Sequence, residues 1–309
     1  MKSSHSKVAI RCGCGSGARQ VLFFGSCGWR IAFTNCPEVV EGIEAILTGW
    51  NIRRISASSK LQVHAEIERK RSGFRWRSEA MPHPHLWYIE PPATPFDVVC
   101  DVHDVFFDWF LKQNPQFLCL HAAAVRVGDG LVGFPSAHRA GKTTLCMALA
   151  ALGQLVYGDD ALFIEPNENL GVAMGIAPRL RRPLAANLGD SVLRFVAARK
   201  GPADKRWQYA RLAKKEMASH GERAPIKALL MLERRRGYRA EIQAVTRSDM
   251  LRGLILQNFA DRVPPVRVVD RLLSITRRAD CYRLRFENVG TAARLVVSAF
   301  GATSQLAAA

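Results

Sequence analysis

Apolar residues along this chain follow two periods, and the switches between them mark the elements. Residues 131–134 (LVGF) are an unbroken apolar run of the kind a buried strand shows. Leu145, Leu149 and Leu152 then recur at i, i+4 and i+7, one face of a helix, with 135–140 as a loop between them. Upstream, 21–25 (VLFFG) and 29–33 (WRIAF) predict paired strands turned around Ser26 and Gly28. Pro37, with Glu38 and Glu41 in its first turn, opens a helix carrying Val39, Ile43 and Ile46. Residues 61–70 and 85–90 alternate as strands. Thr94, Pro95 and Asp97 form a cap, a first-turn proline and an early acid. Val99, Val102, Phe106 and Trp109 follow at helical spacing until Asn114 and Pro115, a stripe that predicts a core face. The break at Pro115 divides the chain into a smaller N-terminal α+β region, 1–115, and a second region, 116–309.

The second region alternates strands and helices, the pattern of an α/β fold. Residues 117–125 read as a buried strand carrying His121. A return strand at 124–127 turns through Gly128, Asp129 and Gly130 into 131–134. Residues 155–157 form a short strand running into Gly158, Asp159 and Asp160. Residues 161–165 and 169–176 flank 166–168 as a hairpin and lead to the basic stretch 178–183. Residues 189–225 combine many basic groups with few large apolar ones and read as an arm over the site. Strands follow at 226–233 and 237–245, then a helix capped by Ser248 with Leu251, Ile255 and Phe259 on its buried face. Val268, Leu272 and Ile275 mark another helix, 281–287 an edge strand, and 291–300 a closing helix.

A strand, a loop ending in Gly141-Lys142-Thr143 and a helix are the layout of a phosphate-binding P-loop, or Walker A motif. Backbone N–H groups at a helix start hold phosphate oxygens, the lysine adds a mobile positive charge, and the hydroxyl ligates magnesium. The candidate nucleotide-binding residues are therefore Ser136, Ala137, His138, Arg139, Ala140, Gly141, Lys142, Thr143 and Thr144. A full match needs glycine five residues before Gly141. This chain has Ser136 there and no glycine inside the loop, so the turn must be shaped differently. Gly-Lys-Thr also arises by chance at helix starts. The acidic pair at the end of the next strand argues for a site, because open α/β sheets bind ligands at that end. Arg179 and Arg181, shortly after the pair, are either a clamp on phosphoryl oxygens or ordinary surface charge.

His121 in LHAAAV, the P-loop and the double aspartate occur in an order that resembles the HPr kinase family, including the HPr-kinase-related proteins of peptide-tailoring gene clusters. The resemblance spans about 116–183. It implies a P-loop kinase core of the HPr kinase type, ATP as phosphoryl donor and Mg²⁺ as its ion. It also implies serine or threonine phosphorylation of a protein or ribosomal peptide, and a homo-oligomer. Carried over, Lys142 and the loop bind the nucleotide, Asp159 takes the acceptor proton, and His121 belongs to the same site. That family supplies a magnesium-binding glutamate from a Glu-Ile-Arg-Gly stretch. No glutamate lies between Gly171 and Pro183 here, leaving Thr143 and Asp160 as the metal-binding pair and casting doubt on a reverse phosphorolysis.

Composition adds limits. The 309 residues, 48% hydrophobic, suffice for a large core, and no run of eighteen apolar residues predicts a membrane span. The first residues, MKSSHSK, lack a signal peptide's apolar segment. Eight scattered cysteines point to a reduced, cytoplasmic protein rather than a disulfide framework. Cys12, Cys14, Cys27 and Cys36 fit no standard zinc spacing, and the glycine-rich 13–17 lacks a clear flanking strand and helix. The net charge of +17 favours an acidic polypeptide as partner. It also suits an ATPase acting on nucleic acid, although no RNA-binding aromatic motif accompanies it, and nucleic acid is the less expected partner. A non-catalytic nucleotide-binding module is the third class, suggested by Ser136 and the missing glutamate.

Overall fold

A computed structural model describes residues 19–56, 61–78, 94–166, 168–184, 188–260 and 263–301. The glycine-rich 13–17, Cys12, Cys14, the strand expected at 85–90 and the tail beyond Gly301 lie outside the described residues. The described part is mixed α/β, with three sheets and seven helices.

The N-terminal sheet begins with β1 (Arg19–Phe24) and β2 (Trp29–Thr34), antiparallel with Phe24 opposite Trp29. Then come α1 (Pro37–Ile46), β3 (Ile52–Ile55), β4 (Ala65–Lys70) and β5 (Gly73–Ser78), giving the strand order β3-β1-β2-β4-β5. Residues 61–64, expected to extend β4, are not in the strand.

Helix α2 (Pro95–Gln113) opens on a capping box, in which Thr94 and Asp97 satisfy each other's backbone N–H groups. Its stripe is buried as the spacing requires. Phe106 packs on Phe24, Trp29 and Trp50 at 4.8, 5.3 and 4.7 Å, while Phe110 meets Phe163 at 4.7 Å. Burying one such ring contributes about 2–3 kcal/mol, against about 1 for the cap, so packing fixes where α2 lies. Residues on both sides of Pro115 share this apolar cluster.

The central sheet takes β6 (Leu118–Leu120), β7 (Ala122–Val127) and β8 (Gly130–Pro135), followed by α3 (Lys142–Ala151). Next come β9 (Leu155–Gly158), β10 (Leu162–Ile164) and β11 (Leu170–Val172), the last two forming the expected hairpin. After β12 (Arg179–Arg181) the chain forms α4 (Asp190–Ala197), β13 (Lys200–Ala203) and β14 (Trp207–Ala210). The last elements are β15 (Arg223–Arg234), β16 (Glu241–Ala244), α5 (Arg247–Leu256), α6 (Pro265–Arg278), β17 (Asp280–Phe286) and α7 (Val289–Phe300).

Strand β8 is apolar throughout because the sheet is covered on both faces. Val132 and Phe134 pack with Leu145 and Leu149 of α3 and Val296 of α7, whereas Leu131 packs with Met250, Leu254 and Leu272 of α5 and α6.

Three expectations are corrected. The stretch 189–225 does not form an open arm. Val192 and Val196, four apart on α4, enter the core, and β12, β14 and β13 make a third sheet. Thr246, not Ser248, caps α5, accepting from the Asp249 N–H, and Met250 and Leu254 face inward while Ile255 is exposed. Strand β17 is no edge strand, since it pairs with β15 on one side and β16 on the other.

Candidate active site

Register brings the candidate residues to one edge. Strand β7 is antiparallel to both β8 and β9, so these two run in the same direction with β7 between them. Ala122 stands opposite Pro135 and Ala124 opposite Gly158. His121 just before β7, Ser136 just after β8 and Asp159 just after β9 therefore leave the sheet at the same end.

In the loop, Ser136 has no left-handed backbone. It is buried, and its Oγ accepts the Leu232 N–H of β15 at 2.8 Å. The left-handed positions are Arg139 (φ 66°) and Gly141 (φ 100°). The side-chain-bearing one costs about 1–2 kcal/mol, so the turn that glycine would make elsewhere is moved to Arg139 and Gly141. Ala137, His138 and Arg139 are exposed, and Ala140, Gly141, Thr143 and Thr144 are partly so. Lys142 opens α3 with only 5% of its surface exposed, and its Nζ donates to the Ser136 and Ala137 carbonyls at 2.7 and 3.2 Å. Burial lowers its pKa, while Asp160 and Asp159 act the other way.

Gly158 is required at the end of β9, because an added Cβ would overlap the Ala161 carbonyl oxygen. Asp159 is buried. Its Oδ2 accepts the Arg179 N–H at 3.2 Å, and its Oδ1 has no hydrogen-bond partner among the described residues. Burial, and secondarily Asp160, raise its pKa to about 7, against the lowering pull of the Thr143 hydroxyl, the Arg179 N–H and Lys142. Asp160 is mostly exposed, with Oδ1 3.7 Å from His121 Nε2.

His121 is held at two points by Gln257. Its N–H donates to the Gln257 carbonyl at 2.6 Å, and its Nδ1 lies 3.0 Å from Gln257 Oε1. The ring stacks on Phe259 at 5.3 Å and meets His138 at 4.3 Å. Burial, Lys142 and His138 lower its pKa, so it is neutral near pH 7. With Nδ1–H donated to Gln257, the neutral ring turns an accepting Nε2 toward Asp160. Gln257→Leu removes only the side-chain bond. The expected result is a changed Nδ1–H to Nε2–H tautomer ratio of the His121 ring, followed against pH by nitrogen NMR, and Gln257→Glu, which keeps an accepting oxygen, retains the Nδ1–H form. An unaltered tautomer ratio would show that the amide does not set the ring.

A cavity of about 280 Å³ adjoins the acidic pair. His121, Asp159 and Asp160 share its wall with apolar Phe107, Met174 and Ile176. Arg179 also lines it, its guanidinium lying 5.0 Å from the Trp207 ring and 5.8 Å from that of Tyr209. Arg181 is exposed, over the Trp207 ring at 4.8 Å, and is not on the cavity wall. Lys142 and Thr143 are not on that wall either, whereas His138 of the loop is, so the loop and the cavity meet at His138 and the acidic pair.

Sequence reasoning missed Gln257, Phe259, Tyr209 and the cavity-facing residues of α2. Only the switch from the buried stripe of α2 to His103, Asp104 and Phe107 on its flank hints at a second face in use.

Among the described residues no cluster of three or more His, Cys, Asp or Glu side chains could hold a metal by itself. The donor set that is present suits magnesium: a hydroxyl at Thr143 and two adjacent carboxylates, one of which, Asp159, has a buried oxygen without a partner among the described residues. Magnesium takes hard oxygen ligands, one or two from protein and the rest from phosphate and water. Among the described residues no helix is long and apolar enough to cross a membrane.

No family model matches the chain, and no curated protein matches it. Solved structures that match include the Hpr(Ser) kinase/phosphatase from Coxiella burnetii, 10% identical over 58% of this chain and 91% of that one, with a TM-score of 0.29. At that identity and score the likeness carries no argument about activity.

Proposed function

We propose that this chain is a magnesium-dependent kinase that moves the γ-phosphoryl group of ATP to a serine or threonine hydroxyl of a protein or peptide. The observation that carries this reading is the shared sheet edge. It joins a lysine-bearing loop at a helix start to a buried carboxylate with one bare oxygen and a pKa of about 7.

Phosphate oxygens lie against the N–H groups of 136–144, and Lys142 exchanges its loop carbonyls for them. Thr143 and Asp160 are the groups that would hold magnesium, which when bound neutralises charge on the β and γ oxygens. Asp159 Oδ1 takes the acceptor hydroxyl's proton as that oxygen bonds to the γ phosphorus. The bond from phosphorus to the β–γ bridging oxygen breaks, and ADP leaves. A base with a pKa near the working pH both accepts and releases the proton readily. His121 orients the acceptor through the hydrogen bond that its proton-free Nε2 can receive. The net charge of +17 supports an acidic polypeptide as acceptor.

Incubation with γ-labelled ATP, magnesium and an acidic serine peptide should give phosphoserine on the peptide. Asp160→Asn should raise the magnesium concentration for half-maximal rate by about tenfold, the worth of one charged ligand. If Asp159→Asn has that effect and Asp160→Asn abolishes transfer, the two carboxylates have exchanged roles. The charge also favours a second reading, an ATPase on nucleic acid. DNA-stimulated hydrolysis that falls steeply with salt, without labelled acceptor, would establish it instead.

A further inference from the structure

We infer that the acceptor hydroxyl is presented with a carboxylate beside it, and that Arg179 binds that carboxylate. The inference rests on the kinase reading and names the chemistry of its substrate.

Arg179 is the first residue of β12. Its backbone N–H holds Asp159 Oδ2 while its side chain lines the cavity, so the guanidinium is one side chain's length from the acidic pair. It is partly buried and makes no salt bridge among the described residues. Its neighbours are the faces of Trp207 and Tyr209 and, at 3.9 Å, the Cys100 Sγ. Arg199 shows what a satisfied arginine looks like in this fold, for both oxygens of Glu216 accept from its guanidinium. Asp104, also on the cavity wall, acts electrostatically on Arg179 and lies 3.3 Å from His103 Nδ1. A partly buried cation whose direct contacts are rings and a thiol, with Asp104 acting from farther off, has donors to spare, and a carboxylate is the group that fork fits in two places.

The anion it receives is the acceptor's rather than the nucleotide's. Lys142 and Thr143, the lysine and hydroxyl of the loop, lie outside the cavity wall, of the loop only His138 reaches it, and Arg179 lies on it. Phe107, Met174 and Ile176 offer apolar cover to the chain between hydroxyl and carboxylate, and about 280 Å³ suits a short stretch of peptide. The carboxylate has two sources with the same chemistry: an Asp or Glu side chain next to the acceptor, or the α-carboxylate of a chain that ends there.

Four short peptides of one background, assayed with the full chain and Mg-ATP, separate them. One has serine followed by Glu, one serine followed by Gln, one a C-terminal serine with a free carboxylate, and one the same with an amide. The acid member of one pair should exceed its neutral twin in kcat/KM by about tenfold or more, and that pair names the source. In Arg179→Gln the preference should collapse through acceptor KM rather than KM for ATP, and Arg179→Lys should keep part of it. Equal rates within both pairs, or a preference that survives Arg179→Gln, overturns the inference and leaves the kinase reading standing. Serine-to-alanine twins of the two acid peptides, titrated by calorimetry, cover the converse. Binding to the wild type that Arg179→Gln abolishes, without transfer to any peptide, upholds the carboxylate site and sinks the kinase. Neither transfer nor binding sinks both.

Discussion

Replacing Asp159 by asparagine is expected to lower phosphoryl transfer by a factor on the order of 10² to 10⁴ while ATP still binds. The amide keeps an oxygen for the Arg179 N–H but has no basic atom to receive the acceptor proton. In the wild type the rate should climb as pH rises through about 7, where the carboxyl loses its proton, and then level off. The Asn protein should lack that step. An Asp159→Asn protein that turns over at the wild-type rate would remove the base from the proposal.

The same substitution should also stabilise the fold at alkaline pH, which a purely catalytic account would not anticipate. The folded pKa of Asp159 is raised from 3.8 to about 7 by burial. Between those values the native state holds a proton that the unfolded chain has released. The contribution to stability is therefore full below about pH 4, declines as pH rises, and is lost above 7. The upper limit of that loss is about 4 kcal/mol, several degrees in Tm. Melts at pH 5 and pH 8 should differ less for Asp159→Asn than for the wild type, with the variant the more stable at pH 8. A variant less stable at pH 8 would mean that a cation pairs with Asp159 in the folded protein.

The segments that build this site were legible where the sheet is covered on both faces. An apolar run such as LVGF has few other places to go, and the Gly141 turn and the Gly158 bend are both written in glycine. Helix α2 was legible because its cap and its stripe agree. Helix α5 was not, because Met250, Leu251, Leu254 and Ile255 form two adjacent stripes, and only packing against β15 and β17 chooses between them. Strand β17 looked like an edge because arginines alternate along it. Arg283 and Arg285 instead face Glu233 of the neighbouring β15, so the polar face is paired inside the sheet. His121 drew notice through a family resemblance, yet its partner Gln257 lies 136 residues away, beyond any spacing argument. Ser136 looked like a defect in a glycine motif. Its hydroxyl has a task on β15 that glycine could not perform, and the strain it avoids is taken up three residues later.

Lys142→Met should produce the other large loss, and through binding rather than proton transfer. The side chain keeps its length and loses the ammonium, which now donates to two loop carbonyls and would donate to phosphate oxygens when ATP arrives. Hydrogen bonds from a charged donor are worth about 1.5–3 kcal/mol each, so ATP should bind about 10- to 100-fold more weakly. The developing charge on the transferring group loses the same partner, taking kcat/KM down by a factor on the order of 10³. The ligand-free fold should lose little, because the two loop carbonyls left without a donor are offset by the removal of a cation that burial already disfavours. The decisive readout is the melting temperature with and without Mg-ATP. Nucleotide should raise the wild-type Tm by mass action and leave Lys142→Met nearly where it was. If Lys142→Met binds ATP as tightly as the wild type, the loop at 136–144 does not cradle phosphate, and the acidic pair beside it must serve some other ligand.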